Sequence, residues 1–331
     1  MLRRGWRALH HQLGQQNPIY LRFPARNDVL TGLLWHLHGQ ALSMNLRSLM
    51  LFLGGCSIAL NSGAADAWGR DGHAIVAAIA YAHLSEGTRT QVDALLAVEP
   101  GATFVSVASW ADEVKNRTTA RWHFVNFPAG DCNYQPQVEC RGGDCLVAAV
   151  DRETRVLRDT RLPAADREVA LKYLIHLGGD GFQPLHSWGP QRGANGFQVR
   201  FDGRGTNLHA VWDTGLIKVA EAQQQSGLGG SLWHALSRQS GESALARALI
   251  STSEQLRTPM PPYPVMWVEQ ACHVANEPGL FQRDIDNAYE RKWVPVVETQ
   301  LIEAGVALAN YLNTVLDNRD AQPTSGQAGA K

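Results

Sequence analysis

Two histidines and one aspartate lie within the eleven residues from His176 to His186. His176 and Asp180 are four residues apart, which places them one turn apart on the same face of a helix. Residues that break helices occur in the same stretch, namely Gly178, Gly179, Gly181 and Pro184. They are expected to end the helix, so that His186 returns on a loop beside the helix end. Imidazole and carboxylate groups at these spacings are typical zinc ligands. The alternative interpretation is a helix end with two hydrogen-bonded core histidines.

A second pair with the same spacing, His209 and Asp213, lies further along the chain. Three earlier motifs also combine tryptophan with histidine or aspartate. They are Trp68-Gly-Arg-Asp-Gly-His73, Ser109-Trp-Ala-Asp112-Glu-Val-Lys115 and Trp122-His123-Phe124-Val-Asn126. Even two His-x-x-x-Asp pairs are weak evidence for a metal site by themselves, because such a spacing also arises by chance. The presence of all these motifs in one chain favours metal binding over isolated core histidines.

The elements that must position these motifs are predicted to be mainly helices. Apolar residues recur at three- and four-residue spacing over several segments, which are 74–84, 88–98, 145–160, 166–179 and 242–257. A final long helix is predicted to begin at Pro295 and to end near Leu316, since proline suits the first turn of a helix. Residues 196–203 alternate before an Asp-Gly turn, which predicts a short β-hairpin. We therefore expect one mainly α, compact multi-helix domain over residues 68–317.

The start of the chain has the features of a secretory signal peptide over residues 44–67. A basic start is followed by a mostly apolar run over residues 48–60 that is too short to cross a bilayer. Ala65-Asp66-Ala67 is a typical cleavage site, and cleavage after it would release a secreted or periplasmic protein that begins with Trp68. Residues 1–43 are interpreted as a disordered upstream extension from a misassigned start, with a genuine extension or an Arg-rich targeting segment as the alternative. The polar tail over residues 318–331 is predicted to be disordered.

The net charge of −1 hides an acidic mature chain. Residues 1–67 contain six basic and two acidic residues, so 24 basic and 29 acidic residues remain and the formal charge becomes −5. A protein that binds nucleic acid normally presents a basic face. Bound metal cations would reverse the sign locally, so this charge does not exclude a phosphate-containing substrate.

Four cysteines follow the predicted cleavage site, and their even number in an exported chain suggests disulfides. Cys140 and Cys145 could close a short loop. Cys132 and Cys272 would then form a long-range pair. The sequence does not determine this connectivity.

The motifs above, together with Gln-Pro-Leu-His186 and Asn-Leu-His209-Ala-Val-Trp-Asp213, resemble the zinc-dependent single-strand nucleases of the S1/P1 type. This family shares its fold with bacterial zinc phospholipase C. The resemblance covers about residues 68–310 and points to a bacterial-type member. It implies an α-helical domain with a short β-hairpin that holds three zinc ions. The implied ligands are Asp112, His123, His176 and Asp180 for one ion, His186, His209 and Asp213 for a second, and His73, Asp180 and Trp68 for the third.

The third ion would use the backbone carbonyl and free α-amine of Trp68, and Asp180 would bridge the first and third ions. The resemblance also implies that a hydroxide between those two ions attacks phosphorus. Lys115 would offset charge on the phosphorane, although a solvated surface lysine is the alternative. Asn195 would lie near the phosphate, but Ala194 replaces a glycine of the family there, so the placement of Asn195 is less certain.

Substrate recognition is implied for two residues that follow His123. Phe124 would stack on a base, with a buried core phenylalanine as the alternative. Asn126 could hydrogen-bond a base edge. Phe182 departs from the family, because many relatives carry histidine at that position. The change removes no implied ligand, but it could alter the environment of the ligands or the wall of the cleft.

These observations lead to three functional hypotheses. The first is an exported, monomeric endonuclease and phosphodiesterase that hydrolyses single-stranded DNA and RNA to 5′-phosphorylated products, with 3′-nucleotidase activity as an extension. The second is a zinc phospholipase C that acts on phosphocholine lipids. The third is a non-catalytic zinc-binding protein. The Trp-Ala-Asp and Trp-His-Phe motifs favour the nuclease, and no membrane-anchoring segment is evident. The sequence does not indicate a preference between DNA and RNA.

Overall fold

The computed structural model describes residues 68–226, 243–255, 260 and 262–317. The predicted upstream extension, signal peptide and C-terminal tail lie outside these residues. The described chain is mainly helical, as predicted. Its helices are α1 Arg70–His83, α2 Glu86–Leu96, α3 Trp110–Glu113, α4 Pro136–Glu139, α5 Leu146–Arg158, α6 Ala164–Asp180, α7 Leu208–Ala210, α8 Leu216–Ser226, α9 Ala244–Ser253, α10 Pro264–Ala275 and α11 Asn287–Leu316. Short 3₁₀ turns form at Ala120–His123, Arg141–Gly143 and Pro184–Ser187, and a π turn over Val211–Gly215 joins α7 to α8.

Helix α11 is the longest helix of the described chain and packs most extensively against α1, with further contacts to α6, α8 and α9. Its apolar residues are buried on more than one side, which suits a helix at the centre of a helical core. Buried positions along it include Val297, Leu301, Leu308 and Leu312, at spacings of four and seven residues. The core of the domain is therefore organised around this helix.

The predicted start of the last helix at Pro295 is wrong. The helix begins eight residues earlier because Asp286 caps it, and the Asp286 carboxylate accepts hydrogen bonds from the backbone N–H groups of Ala288 and Tyr289. Pro295 lies inside the helix, where it lacks the N–H that would complete one backbone hydrogen bond. Burial of Tyr289 and Trp293 on the added turns favours the longer helix.

The predicted helix break at Gly178 and Gly179 is also wrong. Helix α6 continues through both glycines and ends at Asp180, with Gly181 as its cap. A Cβ atom at Gly178 would lie 2.8 Å from Leu308 Cδ1. This glycine therefore serves the close approach of α6 to α11 rather than a turn.

The predicted hairpin is confirmed. Strand β1, Gln198–Phe201, pairs antiparallel with strand β2, Arg204–Asn207. Asp202 and Gly203 connect them with φ of 49° and 71°, which fits the two-residue hairpin turn that Asp-Gly favours. A third strand, β3 at Asp284–Ile285, pairs parallel with β1. Strand β3 leaves no signal in the sequence, because two residues are too few to show an alternating pattern.

Two disulfides link Cys132 to Cys272 and Cys140 to Cys145. This is the pairing in which Cys140 and Cys145 close a short loop and Cys132 and Cys272 form the long-range pair. The first joins residues 140 positions apart and ties the loop before α4 to helix α10. Both disulfides fit a protein exported to an oxidising compartment. In the described part of the chain, every helix is too short or too polar to cross a membrane.

Close packing of α11 on α1 at Gly305 can be tested by substitution. A Cβ atom at Gly305 would lie 2.5 Å from Ile79 Cγ2 and 3.0 Å from the backbone oxygen of Val76. We expect Gly305→Ala to lower the free energy of unfolding by about 1–3 kcal/mol, measured by urea denaturation. Gly87→Ala is the matched control, since Gly87 lies in helix α2 and its Cβ would meet open space. The control should leave stability unchanged or raise it by about 0.5–1 kcal/mol. Equal loss in both variants would contradict the packing argument.

Candidate metal centre

Eight of the nine predicted metal ligands contribute side chains to three adjoining groups. Within each group the donor atoms lie within 4.8 Å of one another. The groups are His73, His176 and Asp180; Asp112, His123 and His176; and His186, His209 and Asp213. His176 thus belongs to two groups, whereas the resemblance placed it at one ion only.

Different elements bring these donors together. Helix α6 provides His176 and Asp180 on one face, as their spacing predicted. Helices α1, α3 and α7 provide His73, Asp112 and His209. Two 3₁₀ turns provide His123 and His186, and the π turn provides Asp213. The short element that contains His209 begins where Asn207 caps α7, because the Asn207 side chain accepts a hydrogen bond from the Ala210 N–H.

Asp180 lies at the junction of two groups and is fully buried. Its Oδ2 atom is 3.1 Å from His123 Nδ1 and 3.2 Å from His176 Nε2. Its Oδ1 atom faces the other way and lies 3.4 Å from His73 Nε2. Because the two oxygens face different histidines, the carboxylate has the geometry that bridging of two cations requires.

The remaining separations also match a metal site. Asp112 places its two oxygens 3.5 Å from His123 Nδ1 and 3.6 Å from His176 Nε2. His209 Nε2 lies 3.3 Å from Asp213 Oδ2. Ligands at zinc–ligand distances of 2.0–2.2 Å around a tetrahedral ion are roughly 3.3–3.6 Å apart. The donor set of imidazole and carboxylate therefore fits zinc in type and in spacing.

Backbone carbonyl groups orient three of the histidines. His176 Nδ1 donates to the Ala108 oxygen at 2.8 Å, and His209 Nδ1 donates to the Gly193 oxygen at 2.5 Å. His186 Nδ1 donates to the His123 oxygen at 2.6 Å. These hydrogen bonds leave Nε2 of each ring available as a ligand, which is the usual arrangement around a bound metal.

Several buried polar atoms lack hydrogen-bond partners among the described residues. They include both ring nitrogens of His73, Nε2 of His123 and Oδ1 of Asp180. A buried polar atom without a partner costs free energy. Coordination of a cation by these atoms would offset that cost, so the residues present fit a metal.

Burial and charge shift the pKa values of these groups in different directions. Burial, followed by the charge of neighbouring His176, lowers the pKa of His73 to about 4. Burial and the neighbouring His186 lower the pKa of His209 to about 3. Both imidazoles are therefore neutral near pH 7, which is the form that binds metal.

His176 and Asp180 behave as a coupled pair. Burial acts to lower the pKa of His176, but the charge and hydrogen bond of Asp180, together with Asp112, outweigh it and raise the pKa to about 9. Burial acts to raise the pKa of Asp180, but the charges of His176 and His186 outweigh it and hold the pKa well below its usual value. A metal ion entering this group must therefore displace a proton from His176.

Trp68 is fully buried beside the first group. Its indole Nε1 donates to the Gly179 oxygen at 2.9 Å. A Cβ atom at Gly179 would lie 2.9 Å from His73 Nδ1 and 3.7 Å from Trp68 Cδ1. Gly179 thus makes room for both residues. Ligation by the Trp68 backbone stays a prediction.

Lys115 contacts a donor group, and Phe124 follows a donor in the sequence. Lys115 Nζ forms an ion pair with Asp112 Oδ1 at 2.8 Å, and its side chain is only 19% exposed. This contact disfavours the alternative of a solvated surface lysine. Phe124 directly follows the candidate ligand His123 and is half-buried, outside the fully buried core. The alternative of a buried core phenylalanine is therefore also disfavoured.

The two predicted asparagines differ in their surroundings. Asn126 is exposed. Asn195 is half-buried, and its side-chain amide donates to the Arg192 backbone oxygen at 2.9 Å. It follows four residues in the left-handed region, whose φ angles lie between 52° and 64° over residues 191–194. The Gly193 carbonyl within this run holds His209, so the loop lies beside the third donor group.

Two neighbouring residues complete the region. Phe182 is buried against Trp267, with ring centroids 6.0 Å apart, and belongs to the core. Gln183, which was not among the predicted site residues, is fully buried and donates a hydrogen bond to Asp213 Oδ1. Its position in the Gln-Pro-Leu-His motif was the available signal.

Three adjoining groups of histidine and aspartate on a helical scaffold define a site of the multi-metal hydrolase class. A sequence model of the S1/P1 nuclease family matches residues 68–317, and the chain belongs to this family. The protein is thus an endonuclease-type hydrolase, and its family is zinc-dependent.

Individual relatives agree with this assignment. Nuclease P1 of Penicillium citrinum is 28% identical over 278 residues, which cover 75% of this chain and 97% of that protein. Nuclease S1 of Aspergillus oryzae is 26% identical over 264 residues, covering 75% and 91%. Endonuclease 3 of Arabidopsis thaliana is 29% identical over 260 residues, covering 75% and 88%. These comparisons give no support to the phospholipase C or the non-catalytic hypothesis.

The raised pKa of His176 predicts how stability depends on pH once metal has been removed with EDTA. The folded state holds a proton up to about pH 9, whereas an unfolded histidine loses it near pH 6.5. The stabilisation is therefore complete below about pH 6.5 and is lost as pH rises through about 9. We expect the free energy of unfolding to fall by on the order of 2–4 kcal/mol over this range, measured by urea denaturation. The metal-free His176→Gln variant is the control and should lack this decline. The same slope in both proteins would show that another group is responsible.

Proposed function

We propose that this nuclease hydrolyses single-stranded DNA and RNA to 5′-phosphorylated products, with 3′-nucleotidase activity, and that it uses three zinc ions. The observation that carries the proposal is the buried carboxylate of Asp180, whose two oxygens face different histidine donors. The nuclease relatives support the reaction class. The residues would hold one ion at each donor group, with Asp180 shared between two of them.

Bound zinc would supply Lewis acidity and would make water nucleophilic near neutral pH. The protein's own contribution is to fix the donors before substrate arrives. Asp180 and Asp112 provide negative charge in a buried site, and the carbonyl groups behind His176 and His209 prevent those rings from rotating. Without metal, the carboxylates of the site would repel a phosphodiester. Bound metal would supply the positive charge that attracts it. No side-chain nucleophile is required.

Lys115 is proposed to stabilise negative charge on the phosphate. Its ammonium group is already held 2.8 Å from Asp112 Oδ1, at the edge of one donor group. A contact with a phosphate oxygen is stronger when the cation is preorganised, because little reorganisation is then needed in the transition state. Asn195 is proposed to bind a phosphate oxygen from the loop that also holds His209.

Phe124 and Asn126 are proposed to select for single strands. Phe124 is half-buried and directly follows the donor His123 in the sequence, which supports a role for its ring near the metal centre. Stacking on such a ring requires a base that is free of its duplex neighbours. Asn126 is exposed two residues later, where its amide could bond a base edge.

Export is proposed to complete the site. Cleavage after Ala67 would free the α-amine of Trp68, which could then act as a ligand beside His73. The burial of Trp68 and its indole hydrogen bond to Gly179 support this placement. We propose that the exported protein is secreted or periplasmic and acts as a monomer.

The substrate class can be tested with the purified protein that begins at Trp68. It should cleave single-stranded DNA and RNA, cleave duplex DNA at least about tenfold more slowly because paired bases cannot stack on the protein, and leave phosphatidylcholine intact. EDTA should abolish cleavage, and added Zn²⁺ should restore it. Products are analysed by mass spectrometry for 5′-phosphates. Hydrolysis of phosphatidylcholine alone, or cleavage that persists in EDTA, would contradict the proposal.

The bridging role of Asp180 can be tested with Asp180→Asn. An amide cannot supply two anionic oxygens, so two ions should bind more weakly, and kcat/KM on single-stranded DNA should fall by more than about 100-fold. Zinc content after dialysis should fall below that of the wild type. The matched control is Asp151→Asn, at an exposed carboxylate on helix α5 that pairs with Arg155. Near-normal activity and full zinc content in Asp180→Asn would exclude the bridging assignment.

A further inference from the structure

Gln183 is a fully buried amide between two of the candidate ligands. Its backbone N–H donates to the backbone oxygen of Asp180 at 3.1 Å, and its backbone oxygen accepts from the backbone N–H of His186 at 3.0 Å. It therefore lies in the short connection between the end of helix α6 and the 3₁₀ turn that contains His186.

The side chain of Gln183 makes two further hydrogen bonds. Its Oε1 atom accepts from the Leu185 backbone N–H at 2.5 Å, and its Nε2 atom donates to Asp213 Oδ1. The backbone N–H of Leu185 can only donate, so Oε1 must face Leu185 and the NH₂ group must face Asp213. The orientation of the amide follows from its partners.

We infer that Gln183 is a positioning residue for Asp213 in the donor group His186, His209 and Asp213. The terminal torsion of an aspartate is soft, so either oxygen can turn toward a cation. Because Gln183 binds Oδ1, Oδ2 is the oxygen that faces His209 Nε2, at 3.3 Å. The inference rests on the proposed function, since it assumes that this group holds a zinc ion.

Gln183 also couples this aspartate to the turn that contains His186. The same amide that binds Asp213 caps the 3₁₀ turn through Leu185. One side chain thus contacts the donor Asp213 directly and caps the turn that contains the donor His186, 27 positions earlier in the sequence. A role in capping alone would predict a loss of stability in any metal state. A role in positioning predicts a loss of zinc affinity in addition.

Two variants separate these roles. Gln183→Met keeps an unbranched side chain and removes both hydrogen bonds. Gln183→Glu keeps an acceptor for Leu185 and replaces the donor that faces Asp213 with an oxygen. The matched control is Gln300→Met, at a second buried glutamine whose Nε2 donates to Glu303 Oε2 at 3.1 Å in helix α11.

Zinc is titrated away from the full-length mature protein with a chelator of known affinity, and the zinc that remains is counted by mass spectrometry. We expect one zinc ion to bind about 10–100-fold more weakly in Gln183→Met and Gln183→Glu, and all ions to bind normally in Gln300→Met. The gain in Tm on adding Zn²⁺ to EDTA-treated protein should shrink in both Gln183 variants only. If Gln183→Met does not fold, Gln183→Glu provides the measurement.

Wild-type zinc affinity and a wild-type gain in Tm in the Gln183 variants would overturn the inference, even if their stability in EDTA is lower. That result is distinct from failure of the proposed function. If the wild-type protein itself binds no zinc or leaves single-stranded nucleic acid intact, the proposed function fails. If the wild type does both and the variants retain every ion, only the role of Gln183 is excluded.

Discussion

The carboxylate of Asp180 is a negative charge with no exposure to water, and the arrangement around it depends on how that charge is compensated. A buried carboxylate is stable only if cations or hydrogen-bond donors surround it. Histidines from α1, α6 and a 3₁₀ turn do so here, at 3.1–3.4 Å. In the absence of metal, a proton on His176 supplies the positive charge. Metal ions would supply more positive charge than a proton can, so metal binding and folding of this region are linked.

Close packing of helices brings the donors to within reach of Asp180. Gly179 allows His73 to lie against α6, and Gly178 and Gly305 allow α11 to approach α6 and α1. Larger side chains at these positions would separate the helices that present the donors. Distances among ligands must hold to within a few tenths of an ångström for a tetrahedral ion. Close helix packing is therefore a requirement of the site as well as a source of stability.

The loop over residues 191–194 shows the cost of positioning a ligand. Gln191, Arg192 and Ala194 have φ angles between 52° and 60°, in the left-handed region that residues other than glycine rarely adopt. Each such residue costs of order 1 kcal/mol. In this conformation the Gly193 carbonyl accepts a hydrogen bond from His209 Nδ1. Strain in this loop is thus associated with the orientation of the candidate ligand His209. In the same way, burial of the Gln183 amide is associated with the orientation of Asp213.

The amino-acid sequence alone determined the features that depend on local spacing. The i, i+4 pair His176 and Asp180 was correctly placed on one helix face, and Asp202-Gly203 correctly predicted the hairpin turn. The family motifs identified all eight side-chain donors that the fold assembles. The sequence left the cysteine pairing open, because two residues 140 positions apart meet only through the packing of a loop on a helix.

Other features were decided only by the tertiary structure. Glycines that usually end helices continue α6, because the approach of Leu308 and His73 to them outweighs their low helix propensity. The last helix starts at its Asp286 cap rather than at Pro295, since burial of Tyr289 and Trp293 outweighs the hydrogen bond lost at proline. The grouping of the donors and the contact between Gln183 and Asp213 depend on distances between segments that are far apart in the chain. Those distances follow from the combined packing of all the helices, which no local pattern contains.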